Sequence, residues 1–371
     1  MRNSRRIWSS QTVADGACWS AAASASVSGA RTGSARSRSM MPSGISGRSP
    51  SSPSSAWSGG VVDTHGGSQS GACTASGRPA RMALVKQPLI EERRTYGDVT
   101  TRVLELPGAG PPVVLFHGYA DSADTWRPAL DLLAREDRRV LAVDLPGFGH
   151  ADRLDRDEPI LEQLDRFGAA VVREVAREHG DVTVCGNSLG GCLSLRLAQD
   201  PQLPIAVCVP VAPAGFDHPL WFRAIEGDRF VRLALRAPLP GPVLRSVVGE
   251  AYRQLAFARP RDPGAAVVAA FTQHLATQRD VRRILATGSR MLPELSRPFR
   301  LREIGVPVVL IWGDRDRMVA HRGSRHVLAA LPDTRLELLE GIGHCPQVEA
   351  PVRFVDLLLE AAPASALAAG R

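Results

Sequence analysis

No apolar run in these 371 residues approaches the roughly 18 that a bilayer-spanning helix needs, which excludes such a helix within them. Cys-x-x-Cys pairs and groupings with metal-ligand spacing are also missing, so no metal or organic cofactor is expected. Of the six cysteines, Cys18 and Cys73 lie in polar sequence, whereas Cys185, Cys192, Cys208 and Cys345 lie in or beside apolar runs. They are expected to be buried free thiols of a reducing, cytoplasmic compartment. Lysine is absent from residues 1–81, which hold nine arginines, 21 serines and just two acids, Asp15 and Asp63. The chain's net charge of +7 therefore resides there, and residues 82–371 are neutral. That neutrality leaves no electrostatic argument for nucleic acid or an anionic membrane as partner. A small-molecule substrate remains, and the composition carries no information on oligomeric state.

Residues 1–81 are low-complexity, rich in Ser, Gly, Ala and Arg, without apolar periodicity. Such a segment cannot bury enough surface to offset its ordering entropy and is expected to be disordered. Polar residues interrupt the apolar stretch that a secretory signal would require after Arg5 and Arg6. Arg- and Ser-rich, acid-poor composition matches that of organellar transit peptides, but globular composition opens at Met82. Residues 1–81 are therefore taken as upstream sequence translated from an early start. Finding Met1, or a processed site before Met82, in the natively expressed protein would overturn that expectation.

From Glu91 the pattern alternates. Arg93 to Tyr96 and Val99 to Leu106 flank Gly97-Asp98 and predict a hairpin. Pro111 to Phe116, Arg139 to Leu145, Asp181 to Cys185 and Ile205 to Val211 read as strands covered on both faces. Helices are predicted after an Asp121-Ser122 cap through Trp126 to Ala134, and over Ile160 to Glu178. This alternation predicts an α/β fold with a mostly parallel, doubly wound sheet. It stops between Gly215 and Leu301, where helical stretches occur without a strand, so residues 215–301 are expected to form an inserted helical cap. The core is then 82–214 and 302–371, resuming with a strand at Val306 to Trp312, a helix near Arg322 to Ala330, a strand at Arg335 to Leu339 and a helix over Val352 to Ala361.

Between a β-branched run and a helical stretch stands Gly186-Asn187-Ser188-Leu189-Gly190, the context of a nucleophile elbow. The glycines are needed because a Cβ two residues either side of the serine would meet the adjoining strand or helix. A serine hydroxyl attacks poorly at neutral pH without a base and a carboxylate that orients the base. His344, in the Gly341-Ile342-Gly343-His344-Cys345-Pro346 loop beyond a strand, is the candidate base. Gly313-Asp314-Arg315-Asp316 follows another strand and offers the acid; Asp316 is chosen, with Asp314 as a solvated or turn-capping residue.

With His117-Gly118, Asp144 to Gly149, Gly186 to Gly191, Gly313 to Asp316 and Gly343 to Pro346 in this order, the chain resembles the α/β-hydrolase superfamily, in its branch with a helical cap. The resemblance supports Asp316, the last residue of its Gly-x-x-Asp stretch, and implies an oxyanion hole from the backbone N–H groups of Tyr119 and Leu189. Some members place the acid where Asp217 stands here. Serine in place of aspartate at the elbow argues against dehalogenase and epoxide hydrolase reactions. The expected activity is that of a serine carboxylesterase on small to medium apolar esters, with Trp221 and Phe222 of the cap as substrate-binding residues. Alternatives are a carbon–carbon bond hydrolase of ring-cleavage products, which share the Asn before the serine, and a ligand receptor with slow turnover.

Overall fold

The computed structural model describes residues 6–7, 86–216, 240–261, 265–273, 275, 277–296 and 298–362. The disorder expected of residues 1–81 falls outside them apart from Arg6–Ile7, and so do Asp217, Trp221 and Phe222. Among the described residues, nine strands form one sheet: β1 (Arg6–Ile7), β2 (Ile90–Tyr96), β3 (Val99–Pro107), β4 (Gly110–Phe116), β5 (Arg138–Val143), β6 (Val182–Asn187), β7 (Ile205–Val211), β8 (Val309–Gly313) and β9 (Arg335–Leu339). Their order is β1-β2-β3-β5-β4-β6-β7-β8-β9. The first three pair antiparallel and the rest run parallel, so the mostly parallel sheet predicted from the alternation is the one observed. Gly97 at φ +63° closes the β2–β3 hairpin, with Tyr96 opposite Val99.

Alternate strand residues feed opposite layers. Val114 and Phe116 of β4 pack with α2 (Ile160–His179) and α3 (Leu189–Leu197). Val113 and Leu115 pack on the other face with α1 (Arg127–Leu133) and the C-terminal helix, Pro351–Ala361. The helix that follows β4 therefore lies on one face and the helix that follows its neighbour β6 on the other. Ligands of open α/β sheets bind at the carboxyl ends of such a strand pair.

Between β7 and β8 the described residues hold α4 (Gly241–Ala256), α5 (Ala265–Thr272) and α6 (Gln278–Glu294), and no strand. After β8 come α7 (Ser324–Ala330), then β9, α8 (Pro346–Glu349) and α9 (Pro351–Ala361).

Three local expectations are corrected. The segment after β4 opens as a 3₁₀ turn, Ala123–Trp126, because Asp121 accepts its neighbour's Ser122 N–H and the Ser122 hydroxyl turns to Asp124; neither side chain caps a helix, and α1 begins at Arg127 beside Pro128. β5 ends at Val143, since the Leu145 N–H is directed to His117 Nε2. β8 starts at Val309, two residues past Pro307, which has no N–H to give a ladder.

Candidate active site

The elbow is built by close packing of backbone. Ser188 sits at φ 55°, ψ −110°, a strained conformation for a residue with a Cβ. A Cβ on Gly186 would lie 2.2 Å from the Gly190 carbonyl, and one on Gly190 would lie 2.1 Å from the Phe116 oxygen. Ser188 N–H donates to the Val211 carbonyl at 2.9 Å, while its own carbonyl accepts from Cys192 and Ala214, so β6, β7 and α3 hold the turn together. The following Leu189 is the first residue of α3, where main-chain N–H groups have no intrahelical acceptor.

Beyond β4, Gly118 passes so close that a Cβ there would be 3.4 Å from Ser188 Cβ. His117 is fixed by main chain at both ring nitrogens: Nε2 accepts the Leu145 N–H at 2.8 Å and Nδ1–H donates to the Gly118 carbonyl at 2.7 Å. That pattern belongs to a neutral ring that shapes the loop.

His344 and Asp316 meet at the carboxyl ends of β9 and β8. His344 Nδ1–H donates to Asp316 Oδ2 at 2.7 Å, and both side chains are almost fully buried. Asp316 is held in turn: its Oδ1 accepts the Met318 and Val319 N–H groups, both at 2.8 Å, and the Trp312 indole N–H donates to Oδ2 at 3.2 Å. Asp314 instead accepts the Gly341 N–H at 2.7 Å, from a loop 27 positions on, and closes that loop against β9.

Ser188, Leu189, Tyr119 and His344 all line one cavity of about 340 Å³. Much of its remaining wall is apolar and comes from the helices between β7 and β8, with Val248, Phe271, Ile284, Met291 and Leu295 among the contributors. Trp221 and Phe222, assigned to substrate from the sequence, lie outside the described residues, and so does the alternative acid Asp217.

A profile of the alpha/beta hydrolase family matches residues 113–357, about two thirds of the chain. The chain belongs to the alpha/beta hydrolase family. Among its relatives is an uncharacterized protein of Mycobacterium tuberculosis, 29% identical over 76% of this chain and 82% of that one. The pimeloyl-[acyl-carrier protein] methyl ester esterase of Nitrosomonas europaea is 28% identical over 68% of this chain and 96% of its own length. Among solved structures, a meta-cleavage product hydrolase from Pseudomonas fluorescens IP01 shares the fold with a TM-score of 0.60 at 20% identity, over 72% of this chain and 96% of that one.

Around the cavity of this family member stand residues with roles that the sequence did not assign. Asn187 Nδ2 donates to the His344 carbonyl at 2.9 Å, so the residue before the serine anchors the histidine loop. Glu349 accepts the Gly343 N–H at 2.9 Å and the Ala258 N–H at 2.8 Å, and the His344 N–H donates to the Ala256 carbonyl at 2.7 Å. The histidine loop is thereby stitched to the end of α4. Burial raises the Glu349 carboxyl while those N–H donors hold it down; burial wins. The Tyr119 hydroxyl donates to the Ile284 carbonyl of α6, a second tie between core and insertion. Asp121 lies in the cavity wall, and burial pushes its carboxyl up to about 7 against hydrogen bonds from Ser122 and Thr125. None of these roles has a motif, and the ties made by Asn187, Glu349 and Tyr119 join segments distant in the chain.

Proposed function

We propose that this cavity hydrolyses carboxylic esters by acyl transfer through Ser188. Supporting this most directly is the His344–Asp316 hydrogen bond, which engages Nδ1 and leaves Nε2 to act in the cavity that Ser188 lines. His344 Nε2 takes the Ser188 hydroxyl proton as Oγ attacks the ester carbonyl. Asp316 holds the tautomer and stabilises the imidazolium without itself accepting the proton. The oxyanion is bound by the main-chain N–H groups of Tyr119 and Leu189, each such donor contributing on the order of 3 kcal/mol to the transition state. The imidazolium returns its proton to the departing alkoxide. Water, deprotonated by His344, then cleaves the acyl-serine and regenerates the free hydroxyl.

The inserted helices serve as the cap that receives the acyl group. Among the described residues the cavity wall contains no lysine or arginine, which favours a neutral apolar ester over an anionic substrate. Turnover of a nitrophenyl ester chain-length series, with Ser188→Ala as control, tests the proposal. The variant is expected to lose at least about 10³-fold in kcat, together with labelling by a serine-directed phosphonate. Undiminished turnover in the variant would reject Ser188 as nucleophile. Stoichiometric labelling with saturable binding but negligible wild-type turnover would favour a receptor. Cleavage of vinylogous diketones in preference to esters would favour carbon–carbon hydrolysis.

A further inference from the structure

The cavity holds one carboxyl that the ester mechanism does not use. Asp121 is buried in its wall, two residues after Tyr119, in a turn closed by the Asp121 N–H donating to the Gly118 carbonyl. Its Oδ1 accepts the Ser122 N–H at 2.8 Å. Tyr252 of α4 and Cys345 of the histidine loop line the same cavity, and burial, with a smaller contribution from the Asp121 charge, raises the phenol and the thiol alike. The other charges near it are Asp124 of the 3₁₀ turn and Asp144 beyond β5, both paired with Arg102. The Arg102 charge is thus already engaged by three carboxylates, those two and Glu91, and the described cavity wall supplies no lysine or arginine of its own.

We propose that Asp121 is a charge filter: a carboxyl in the cavity wall that admits neutral acyl ligands and turns away those carrying a carboxylate. The physical basis is like-charge repulsion inside a poorly hydrated, apolar cavity, where a charge pair interacts far more strongly than in water. Since Asp121 is pushed up to about 7 by burial, the filter is open below neutrality and closed above it.

The proposal rests on the cavity being the substrate site, and it is tested without turnover. Octanoate and octanamide share a tail and differ in charge; their binding to the full chain is measured by calorimetry at about pH 6 and about pH 8.5, on either side of the perturbed carboxyl. The ratio of octanoate to octanamide Kd is expected to rise roughly tenfold or more with pH in the wild type, as the like-charge repulsion appears. In Asp121→Asn and in Asp121→Ser the rise shrinks to a small fraction of the wild-type one. An equal rise in wild type and both variants, or no octanamide binding at all, overturns the proposal. Ester turnover that survives Ser188→Ala counts against the nucleophile instead and leaves the Kd ratios meaningful.

Discussion

Gly190 lies so near the Phe116 carbonyl that no side chain fits, since the contact is backbone on backbone and nothing flexible can move aside. Gly190→Ala is expected to lower stability by about 3 kcal/mol, read as a fall in the urea midpoint at unchanged slope. Asp316 poses a different question, because its substitution touches chemistry before packing. Asp316→Asn is expected to reduce kcat by about 10⁴-fold on nitrophenyl butyrate with a far smaller change in KM, as the imidazole loses its orienting charge. Asp121 has the opposite electrostatics from a salt-bridged acid. Its carboxyl rises from 3.8 to about 7 on folding, so between those values the native state keeps a proton that the unfolded chain has released. The Asp121 contribution to native stability therefore falls as pH rises from about 4 to about 7. Asp121→Asn removes that dependence: its Tm is expected to match the wild type near pH 4 and exceed it above pH 7, measured by scanning calorimetry. Residues of this kind were legible in unequal measure. Ser188 and the glycines around it declare themselves by local spacing, because a tight turn needs them within five positions. Asp121 had no local signal: its environment is assembled by α4 and the histidine loop, more than a hundred residues away.

Elements were largely legible, because apolar strands buried on both faces and amphipathic helices impose periods that survive in the chain. β7 and β9 begin and end at the residues expected from their patterns. Ends failed where a side chain takes up the backbone N–H, as at β5, whose expected last residue Leu145 donates its N–H to His117 Nε2. α2 starts at Ile160 as expected, although Pro159 before it has no capping side chain; the carboxylate of Glu294, on α6, accepts the Ile160 and Leu161 N–H groups at 2.9 and 2.8 Å. Glu294→Ala is expected to lower stability by about 1 kcal/mol, a normal cap loss delivered from across the molecule and read from the urea midpoint. The segment after β4 failed likewise, since Asp121 and Ser122 turn to near neighbours and to Asp124 instead of to the helix.

At the scale of the whole molecule, Arg102 of β3 joins Asp144 beyond β5 at 2.9 Å and Asp124 of the 3₁₀ turn at 2.7 Å, and Gln273, just after α5, donates to Asp124 at 2.8 Å. The sheet, the site loop and the segment between β7 and β8 thus share one buried polar network. Burial opposes ionisation of Asp124, but Arg102 and Arg127 overcome it and hold the carboxyl at about 2. A depressed acid stabilises the native state above its unfolded value of 3.8, and that contribution is lost as pH falls through about 2. Arg102→Met is expected to cost about 3 to 5 kcal/mol at neutral pH by leaving the buried Asp144 without its cation and Asp124 with Arg127 alone, and less in acid. Urea denaturation at several pH values measures the difference. By itself the sequence determined the strand and helix periods, the elbow and the order of serine, acid and histidine along the chain, since each depends on neighbours a few residues apart. Only the tertiary structure decided which acid meets His344, which carboxyl lies in the cavity wall and which residues tie the inserted helices to the core. Those contacts are set by burial and by hydrogen bonds between segments that the sequence keeps far apart.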